Sequence, residues 1–430
     1  MSRIGMLTLH LRRGYGVDLV VDSSARQLVR YGHEVTVYTT EAEPQYEHAT
    51  YRIVRLATDA PFSRAFLDDC QRLLSTASID AWIIHSPPFD RAPLHAPVPL
   101  LYWEHGTPPG SFFPAATGDL LDWTTWYRRH RVYDRPGVAV AAISKSILAG
   151  LPPRLGARVV YNGVDHYPLC PPEEARATRR RLAIPDDAFM VLMVGRFQLE
   201  NDPQPYKGGD LALGMVERWH QREARIQPVV AGLISPGTAD RFIRAGVLVV
   251  DRAPPELLPR LYAAADLYLS LSRWEGFNLP LGEAQYQGTC CAAFRCGPHP
   301  ELVQHGAGGW LAETPEELAG FVEAAAAAPE RSAAMGREAA QRMREFSWHR
   351  HGKALHGMLD ALLAQSRTGR DISRRGSLPV MARMQYRTEM FAWYLLKRGP
   401  RGLLRLIAGR RRSAAVHQNA ERRPDHDSQF

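Results

Sequence analysis

The chain has 430 residues, of which 45% are hydrophobic and 23% are charged. This composition is ordinary for a globular protein of two or three domains, and it excludes a mainly disordered chain, a collagen-like chain and a disulfide scaffold. The charge is uneven, because residues 366–430 contain 15 Lys or Arg and 5 Asp or Glu, whereas residues 1–365 carry a net charge of −2. The sequence pI near 9.3 therefore reflects a basic tail on a nearly neutral body.

The five cysteines are scattered, with no CxxC pair and no zinc-ligand spacing among them. We therefore expect free thiols in a reducing compartment. The N-terminal apolar stretch is too short for a signal peptide, and no window offers the ~20 apolar residues of a membrane span. Together these features predict a cytoplasmic protein.

In the first half of the chain, apolar runs alternate with helical patterns. A glycine-bearing turn, RRGYG, follows the first apolar run, and a helical pattern extends over residues 18–31. Strands separated by helices form parallel sheets with crossover connections. Strands are predicted at residues 3–10, 33–39, 80–85, 98–104, 138–144 and 158–162.

The same alternation restarts after a proline-containing linker between residues 162 and 188. A continuous apolar strand at 189–195 leads into a helical pattern at 208–223, and Pro329 divides an alanine-rich helical stretch. Further strands are predicted at residues 227–233, 246–250 and 266–270. The sequence thus predicts an α/β fold of two doubly wound, Rossmann-like halves joined near residue 165.

The most informative stretch for chemistry is SRWEGFNLPLGEAQYQG, residues 272–288. Pro280 favours the first turn of a helix, so we expect a helix to begin there, with Glu283 in its first turn and Glu275 on the preceding loop. The backbone N–H groups of residues 276–279 would lie beside that helix N-terminus, where anions bind. The two carboxylates can accept hydrogen bonds from sugar hydroxyls on either side of such an anion.

Two cations are expected near this anion site. Arg196 directly follows the strand VLMVG, and Lys207 opens the helical pattern YKGGDLAL. Strand ends and helix starts both lie at the carboxyl edge of an α/β sheet, where ligands bind. Arginine can hold a phosphate through two parallel bonds, and lysine acts as a mobile charge. These parts predict a ligand in which a nucleoside diphosphate is attached to a sugar.

The motifs resemble those of retaining glycosyltransferases of the GT-B fold, family 4 type. The resemblance rests on EGFNLP through Glu283, on VGR at 194–196, on Lys207-Gly208 and on GPHPELVQHGAGG at 297–309. GHEVTVYT, ISKS, VYNGVD and the closing FSW add weaker support. The resemblance covers roughly residues 3–365, and it implies two Rossmann-like domains facing a cleft. The mixture of basic and apolar residues beyond this region predicts a basic C-terminal helical tail.

The resemblance and the chain pattern together give a domain division. Residues 1–165 are expected to form the N-terminal Rossmann-like domain on the acceptor side. Residues 166–345 are expected to form the C-terminal Rossmann-like domain, which holds the nucleotide-sugar donor. Residues 346–365 would be a helix that returns to the first domain, and residues 366–430 a basic amphipathic tail.

The resemblance also implies site residues. Glu275 resembles the glutamate beside the donor sugar, and Glu283 resembles the residue that binds the ribose hydroxyls. Arg196 and Lys207 resemble the pair that neutralises the leaving diphosphate. His105, in WEHGTPPG, resembles the histidine at the end of a first-domain strand close to the donor sugar. Loop residues that resemble those meeting the donor phosphates or sugar are Gly14, Gly16, Phe277, Asn278 and Leu279.

The implied activity is transfer of a hexose, with retention of configuration, from a nucleotide-diphosphate sugar to a glycan or lipid-linked acceptor, as in polysaccharide biosynthesis. It implies no metal and no other cofactor. Basic and apolar residues mixed over 378–412 predict peripheral contact with the inner face of a membrane. A contact with another protein or copy, or no role, are the alternatives for this tail. Nucleic acid is not expected as a partner, because no recognition motif accompanies the charge.

Several points stay open at the level of the sequence. About ten residues separate Arg196 from Lys207, which is longer than is usual in such proteins. This spacing leaves two alternatives: either a residue other than Lys207 is the partner of Arg196, or the intervening loop contacts the acceptor. Tyr15 in RRGYG could narrow the donor cleft. An aromatic group in the first half is either core packing or an acceptor wall: Phe112, Phe113, Trp123, Trp126 and Tyr127.

Three other functions are compatible with the same two-domain fold. A nucleotide-sugar epimerase would act on a sugar nucleotide without an acceptor. A phosphorylase-like enzyme would require phosphate as a co-substrate. A non-catalytic scaffold held to a membrane by its tail would bind without turnover, although the presence of Glu275, Glu283 and Arg196 disfavours it. A dinucleotide oxidoreductase is disfavoured because RRGYG is not the GxGxxG fingerprint.

Overall fold

The structure, a computed structural model, describes residues 1–46, 49–90, 94–222 and 225–367. In these ranges the chain forms two parallel sheets with intervening helices, as predicted. The predicted boundary at residue 165 lies between the last strand of the first sheet and the first helix that follows it.

The first sheet is built from the N-terminal part of the chain. Its region contains β1 (Arg3–Leu7), β2 (His10–Leu11), α1 (Gly16–Arg30), β3 (Glu34–Thr39), β4 (Glu41–Ala42), β5 (Arg52–Arg55), α2 (Arg64–Thr76), β6 (Ala81–Ile84), β7 (Leu100–Glu104), α3 (Ala115–Tyr127), β8 (Val138–Ala142), α4 (Lys145–Ala149) and β9 (Arg158–Val159). Seven strands form the sheet in the order β5-β3-β1-β6-β7-β8-β9, and β2 pairs with β4 separately.

The second sheet is built from the C-terminal part of the chain. Its region contains α5 (Pro172–Arg181), β10 (Phe189–Phe197), α6 (Gly209–Gln221), β11 (Ile226–Ile234), α7 (Pro236–Arg244), β12 (Leu248–Asp251), α8 (Leu258–Ala264), β13 (Leu267–Ser270), α9 (Leu279–Tyr286), β14 (Cys290–Phe294), α10 (His299–Leu302), β15 (Gly309–Ala312), α11 (Pro315–Ala327), α12 (Pro329–Met343) and α13 (Trp348–Arg367). Six strands form the sheet in the order β12-β11-β10-β13-β14-β15.

The central strands are continuous apolar runs in the sequence because both faces of each sheet are buried there. All four residues of β6 are buried, as expected for a parallel sheet covered on both faces. Gly5 in β1 faces the indole of Trp82, and a Cβ at this position would overlap the ring. The sequence run at residues 3–10 was predicted as one strand, but β1 ends at Leu7 and β2 begins at His10. The edge strand β5 was not predicted, because its residues are exposed or half-buried and give no apolar run.

The chain returns to the first domain at its last described helix. The backbone N–H of Trp348 donates to Asp165 Oδ1 over 2.7 Å, and Val164 N–H donates to the carbonyl of Phe346 over 2.8 Å. Along α13, Gly352 lies against Gln27 of α1, where a Cβ would be 2.6 Å from the Gln27 Cβ. The helix α13 is therefore anchored to α1 and to the segment that follows β9.

None of the described helices combines the length and the apolar content that a bilayer crossing requires. The predicted tail lies outside the described residues from residue 368 onward, and so does the predicted membrane contact at 378–412.

Candidate active site

The loop between β13 and α9 is held by the side chain of Asn278. This residue caps α9 in a left-handed conformation with φ +68°, and its Oδ1 accepts from Leu281 N–H over 3.3 Å. Its Nδ2 donates to Ser270 Oγ over 2.9 Å and lies 2.8 Å from His299 Nε2. Because the Asn278 side chain is used inside the protein, any contact with a donor would come from the backbone. The cap starts α9 at Leu279, so Glu283 lies in the second turn, and its predicted place in the first turn is wrong.

Glu275 on this loop is paired with Lys207. Lys207 Nζ donates to Glu275 Oε1 over 2.7 Å, with the carboxylate buried and 31% of the lysine side chain exposed. Lys207 ends a 3-10 turn, Pro205–Lys207, and Gly208 follows it with φ +72°. A Cβ at Gly208 would overlap the carbonyl of Leu271, so only glycine permits this close approach. The long segment before Lys207 therefore does not carry the lysine away from Glu275.

Arg196 meets the glycine loop of the first domain. It lies near the end of β10, and its guanidinium carbon is 5.2 Å from the ring centroid of Tyr15. The guanidinium carbon of Arg12 is 4.2 Å from the same centroid. Two cations thus lie close to one aromatic ring directly before α1, whose N-terminus favours anions. The structure brings Arg196 to Tyr15 and Lys207 to Glu275.

The two domains approach closely at the start of α1. Gly16 is the first residue of α1, and a Cβ there would lie 3.3 Å from Leu279 Cδ1 at the start of α9. Gly14 in the preceding turn has φ +79°, and Arg13 forms an ion pair with Glu256 of the second domain. The predicted glycine loop and the predicted loop of the second domain therefore face each other.

Glu283 is buried in α9 and is held by two residues that the sequence analysis did not identify. The hydroxyl of Tyr262 donates to Glu283 Oε2 over 2.7 Å, and His166 Nε2 lies 3.4 Å from Oε1. Burial and the neighbouring carboxylate raise the pKa of Tyr262, so its hydroxyl stays protonated. Tyr262 lies on α8, before β13 and outside the motif at residues 272–288, so the sequence contains no local signal for its contact with Glu283.

His105 follows β7 and touches the loop of the second domain through its backbone. A Cβ at Gly276 would overlap the carbonyl of His105, and Ser144 Oγ donates to the Gly276 carbonyl over 2.9 Å. The His105 Nε2 lies 3.3 Å from Nδ1 of His85, a buried histidine that follows β6. Burial lowers the pKa of His105 to about 4, so its imidazole is neutral at pH 7.

Phe277 packs between the domains. Its ring lies 6.4 Å from that of Tyr161 and 6.1 Å from that of Phe346, measured between centroids. The side chain is buried, so Phe277 fixes the loop by packing while its backbone remains beside the helix start.

A buried charge network supports the first-domain edge, and sequence analysis missed it. Arg128 donates to both carboxylate oxygens of Glu104, over 3.1 and 2.9 Å, and to Thr107 Oγ1 over 2.9 Å. The Tyr133 hydroxyl donates to Glu104 Oε2 over 2.8 Å. Burial raises the pKa of Glu104, but the charges of Arg128 and Arg129 outweigh it and lower the pKa to about 2. The network holds the start of the segment that follows His105.

The aromatic group of the first half divides into residues buried in the core and residues that contact the second domain, and its use as an acceptor wall stays a prediction. Trp123 and Tyr127 are buried in the core. Phe112 and Phe113 instead reach the second domain, with ring centroids 6.1 and 6.2 Å from that of Tyr206. Tyr206 precedes Lys207 in the chain, so these aromatic rings lie next to the Lys207–Glu275 pair.

Glu301 joins two motifs across the domains. Its carboxylate accepts from the backbone N–H groups of Lys145 and Ser146 at the start of α4, each over 2.9 Å, and from the Tyr161 hydroxyl over 2.7 Å. GPHPEL and ISKS were identified in the sequence as separate motifs, and the structure places them in contact.

Both halves of the chain match families of glycosyltransferases. The family described as Glycosyltransferase Family 4 matches residues 15–167, and Glycosyl transferases group 1 matches residues 174–342. A D-inositol 3-phosphate glycosyltransferase of Segniliparus rotundus is 32% identical over 202 residues, which are 44% of this chain and 43% of the relative. The chain thus spans about half the length of the curated relatives it matches.

A solved structure shows the same fold. Anabaena HepE, crystallised in complex with UDP and glucose, has a TM-score of 0.67 at 19% identity, covering 84% of this chain and 100% of HepE. The similarity confirms the predicted fold class, in which two Rossmann-like domains face a cleft.

Proposed function

Since the chain belongs to the glycosyltransferases, with a Family 4 domain followed by a group 1 domain, we propose that it transfers a sugar from a nucleotide-diphosphate donor to an acceptor hydroxyl with retention of configuration. One observation carries the proposal. The buried carboxylate of Glu275 and the ammonium of Lys207 form a 2.7 Å pair where α9 begins, opposite the glycine loop of the other domain.

The main requirement of this reaction is to stabilise the negative charge that develops on the leaving diphosphate. The Lys207 ammonium has three N–H donors and uses one in its hydrogen bond to Glu275, so two are left for phosphate oxygens. Arg196 is exposed beside Tyr15 and supplies a second, planar set of donors. Donors placed where charge develops stabilise the transition state more than the ground state. No step of this mechanism requires a metal ion, and activity in excess EDTA tests that point.

Glu275 and Glu283 have different roles in the proposal. Glu275 fixes the Lys207 ammonium and accepts from hydroxyls of the donor sugar. Glu283 Oε2 is engaged by Tyr262 and Oε1 lies 3.4 Å from His166 Nε2, and we assign Oε1 to the ribose hydroxyls of the donor. In front-face transfer, the acceptor oxygen bonds to the anomeric carbon on the side from which the diphosphate leaves, and the hydroxyl proton passes to the leaving phosphate.

The choice of first substrates follows from the relatives. HepE holds UDP and glucose in its crystal, which supports UDP-sugars as the first donors to test. The relatives named for D-inositol 3-phosphate support a phosphorylated inositol as the first small acceptor. Glycans and lipid-linked sugars are the acceptors that we propose from the sequence, together with peripheral membrane contact through 378–412. Sedimentation with anionic and with neutral vesicles tests that contact.

Nucleotide binding and transfer are tested together. UDP-, GDP-, ADP- and dTDP-sugars are compared by thermal shift with the wild type, Glu283→Gln and the control Glu323→Gln, a glutamate paired with Arg218 and Arg222 instead. We expect one nucleotide to stabilise the wild type and the control, and Glu283→Gln much less. NMR of the product then reports the anomeric configuration.

The same assay separates the competing functions. An altered sugar nucleotide formed without acceptor would identify an epimerase, and a strict requirement for phosphate would identify a phosphorylase-like enzyme. Binding of a nucleotide sugar without turnover on any acceptor would favour a scaffold. If no nucleotide stabilises the wild type, the proposal is wrong.

A further inference from the structure

Three potential metal ligands converge where α13 meets the first domain. His33 lies between α1 and β3, and His356 and Asp360 lie one turn apart on α13. The Nε2 of His33 is 3.0 Å from the Nδ1 of His356, and His356 Nε2 is 3.2 Å from Asp360 Oδ2. In the described part of the chain, these residues are the group of three whose ligand atoms lie within 4.8 Å of one another.

The geometry suits a small divalent ion. Ligands at about 2.1 Å from a tetrahedral zinc ion lie about 3.4 Å apart, so an ion held by His33 Nε2 and His356 Nδ1 requires these nitrogens to separate by only a few tenths of an ångström. Asp360 contacts the other ring nitrogen of His356, Nε2, so its exposed carboxylate has to turn toward the ion. Residues four apart on a helix share one face, which lets His356 and Asp360 act on one ion. Two imidazoles and a carboxylate form a common zinc ligand set, and water completes it.

The two imidazole rings are already held in place. His33 is buried, and the ring of His356 stacks on Tyr31 with centroids 4.5 Å apart. Asp360 is exposed and can turn its carboxylate toward an ion without disturbing the core. The two histidines would therefore lose little side-chain conformational entropy when an ion binds.

We propose that His33, His356 and Asp360 bind Zn²⁺ in a structural site that fastens α13 to the first domain. His33 directly precedes β3, whereas the glycine loop follows β1, and these strands are parallel neighbours. The site therefore lies at the amino edge of the sheet, opposite the cleft. The ion acts on the attachment of the returning helix and takes no part in sugar transfer.

The experiment uses the full chain without a polyhistidine tag, freed of metal by a chelator. Zn²⁺ is titrated while the thermal midpoint is followed, and Co²⁺ absorption reports the ligand type. The variants are His356→Gln and Asp360→Asn, and His349→Gln is the control because His349 is an exposed histidine of the same helix. Asp360→Asn changes an exposed side chain, so it keeps the test valid if His356→Gln does not fold.

We expect the wild type and His349→Gln to bind about one equivalent and to gain the same midpoint shift. His356→Gln should lose the shift, and Asp360→Asn should bind roughly tenfold or more weakly. Equal shifts in the wild type, Asp360→Asn and His349→Gln would overturn the proposal. So would a wild type without any metal-dependent shift, or a Co²⁺ spectrum with the charge-transfer bands of thiolate ligands, which would assign binding to the cysteines.

Discussion

The two sides of the cleft are built in different ways. On the second domain, the start of α9 is held by the neutral side chain of Asn278, whose Oδ1 accepts from Leu281 N–H and whose Nδ2 donates to Ser270 Oγ. On the first domain, the edge after β7 depends on a buried ion pair and on the returning helix α13. Arg128 reaches Glu104 from 24 residues away, and His351 of α13 lies against Trp103 with ring centroids 5.3 Å apart.

This difference has an energetic consequence. A helix cap made by a neutral side chain costs little desolvation, because no charge is removed from water. A buried ion pair has to recover the cost of removing two charges from water, so losing one partner leaves the other uncompensated. We therefore expect substitutions on the first-domain edge to reduce stability, and substitutions on the second-domain loop to reduce turnover.

The largest effect is expected for Arg128→Met. This change leaves the Glu104 carboxylate buried with the Tyr133 hydroxyl and the more distant Arg129, and should cost about 3–5 kcal/mol of unfolding free energy. Urea denaturation followed by circular dichroism measures it. Arg154→Met removes an exposed ion pair with Asp134 and should cost at most about 1 kcal/mol. Equal losses in the two variants would contradict the proposed role of the buried network.

Lys207→Met should mainly affect catalysis. Removing one preorganised donor from the leaving group is expected to lower kcat by about 10²–10³. The urea midpoint should also fall, because the buried Glu275 carboxylate loses its partner, but by less than in Arg128→Met since the Lys207 side chain is 31% exposed. Steady-state kinetics with the donor identified by thermal shift measures the change. Lys145→Met is the control, since the Lys145 side chain is exposed and its contact with Glu301 comes from the backbone. A kcat close to that of the wild type would exclude Lys207 from the reaction.

Tyr262→Phe should weaken nucleotide binding without slowing turnover. The variant deprives the Glu283 carboxylate of its 2.7 Å hydrogen bond, and we expect roughly a tenfold rise in KM for the donor. Tyr268→Phe is the matched control, because Tyr268 is also buried but bonds only the Val194 carbonyl at 3.4 Å. A fall in kcat at constant KM would show that Glu283 acts in the reaction itself and not in binding.

The features of the cleft that depend on residues close together in the sequence could be predicted from it. The two sheets were predicted from apolar runs, and the fold class is confirmed. The helix start near Pro280 was placed to within one residue, and this difference puts Glu283 at the fifth helical position, in the second turn, where the fourth was predicted. The roles of Glu275, Glu283, Arg196 and Lys207 stay predictions.

The remaining features depend on contacts that local spacing does not reveal. Glu301 and the start of α4 are more than 150 positions apart, and their contact exists only because the two domains meet. Tyr262 and Arg128 lie on helices whose pattern indicates only which face is apolar. Their polar partners are set by the packing of whole elements, so a single sequence gives no sign of them.

The smallest effect is a pH dependence centred on His351, which lies behind the first-domain edge. Its Nδ1 lies 2.8 Å from the Tyr161 carbonyl, and its Nε2 lies 2.8 Å from Ser24 Oγ. Burial lowers the pKa of His351 to about 4, compared with 6.5 for a free histidine. The unfolded chain therefore binds a proton below pH 6.5 that the folded chain does not take up until about pH 4. The stability that neutral His351 contributes is complete above pH 6.5 and is lost as the pH falls toward 4.

Comparison with His351→Gln isolates this contribution. The other titrating groups are common to both proteins, including Asp18, whose pKa burial raises to about 6 and which acts in the opposite direction. We expect the stability advantage of the wild type to shrink by about 1 kcal/mol between pH 7 and pH 5.5, as measured by urea denaturation. His349→Gln should show no such trend, because its imidazole is exposed to solvent. A constant difference between wild type and His351→Gln would mean that burial does not lower the pKa of His351 in the folded chain, and that the first-domain edge does not depend on a neutral imidazole at this position.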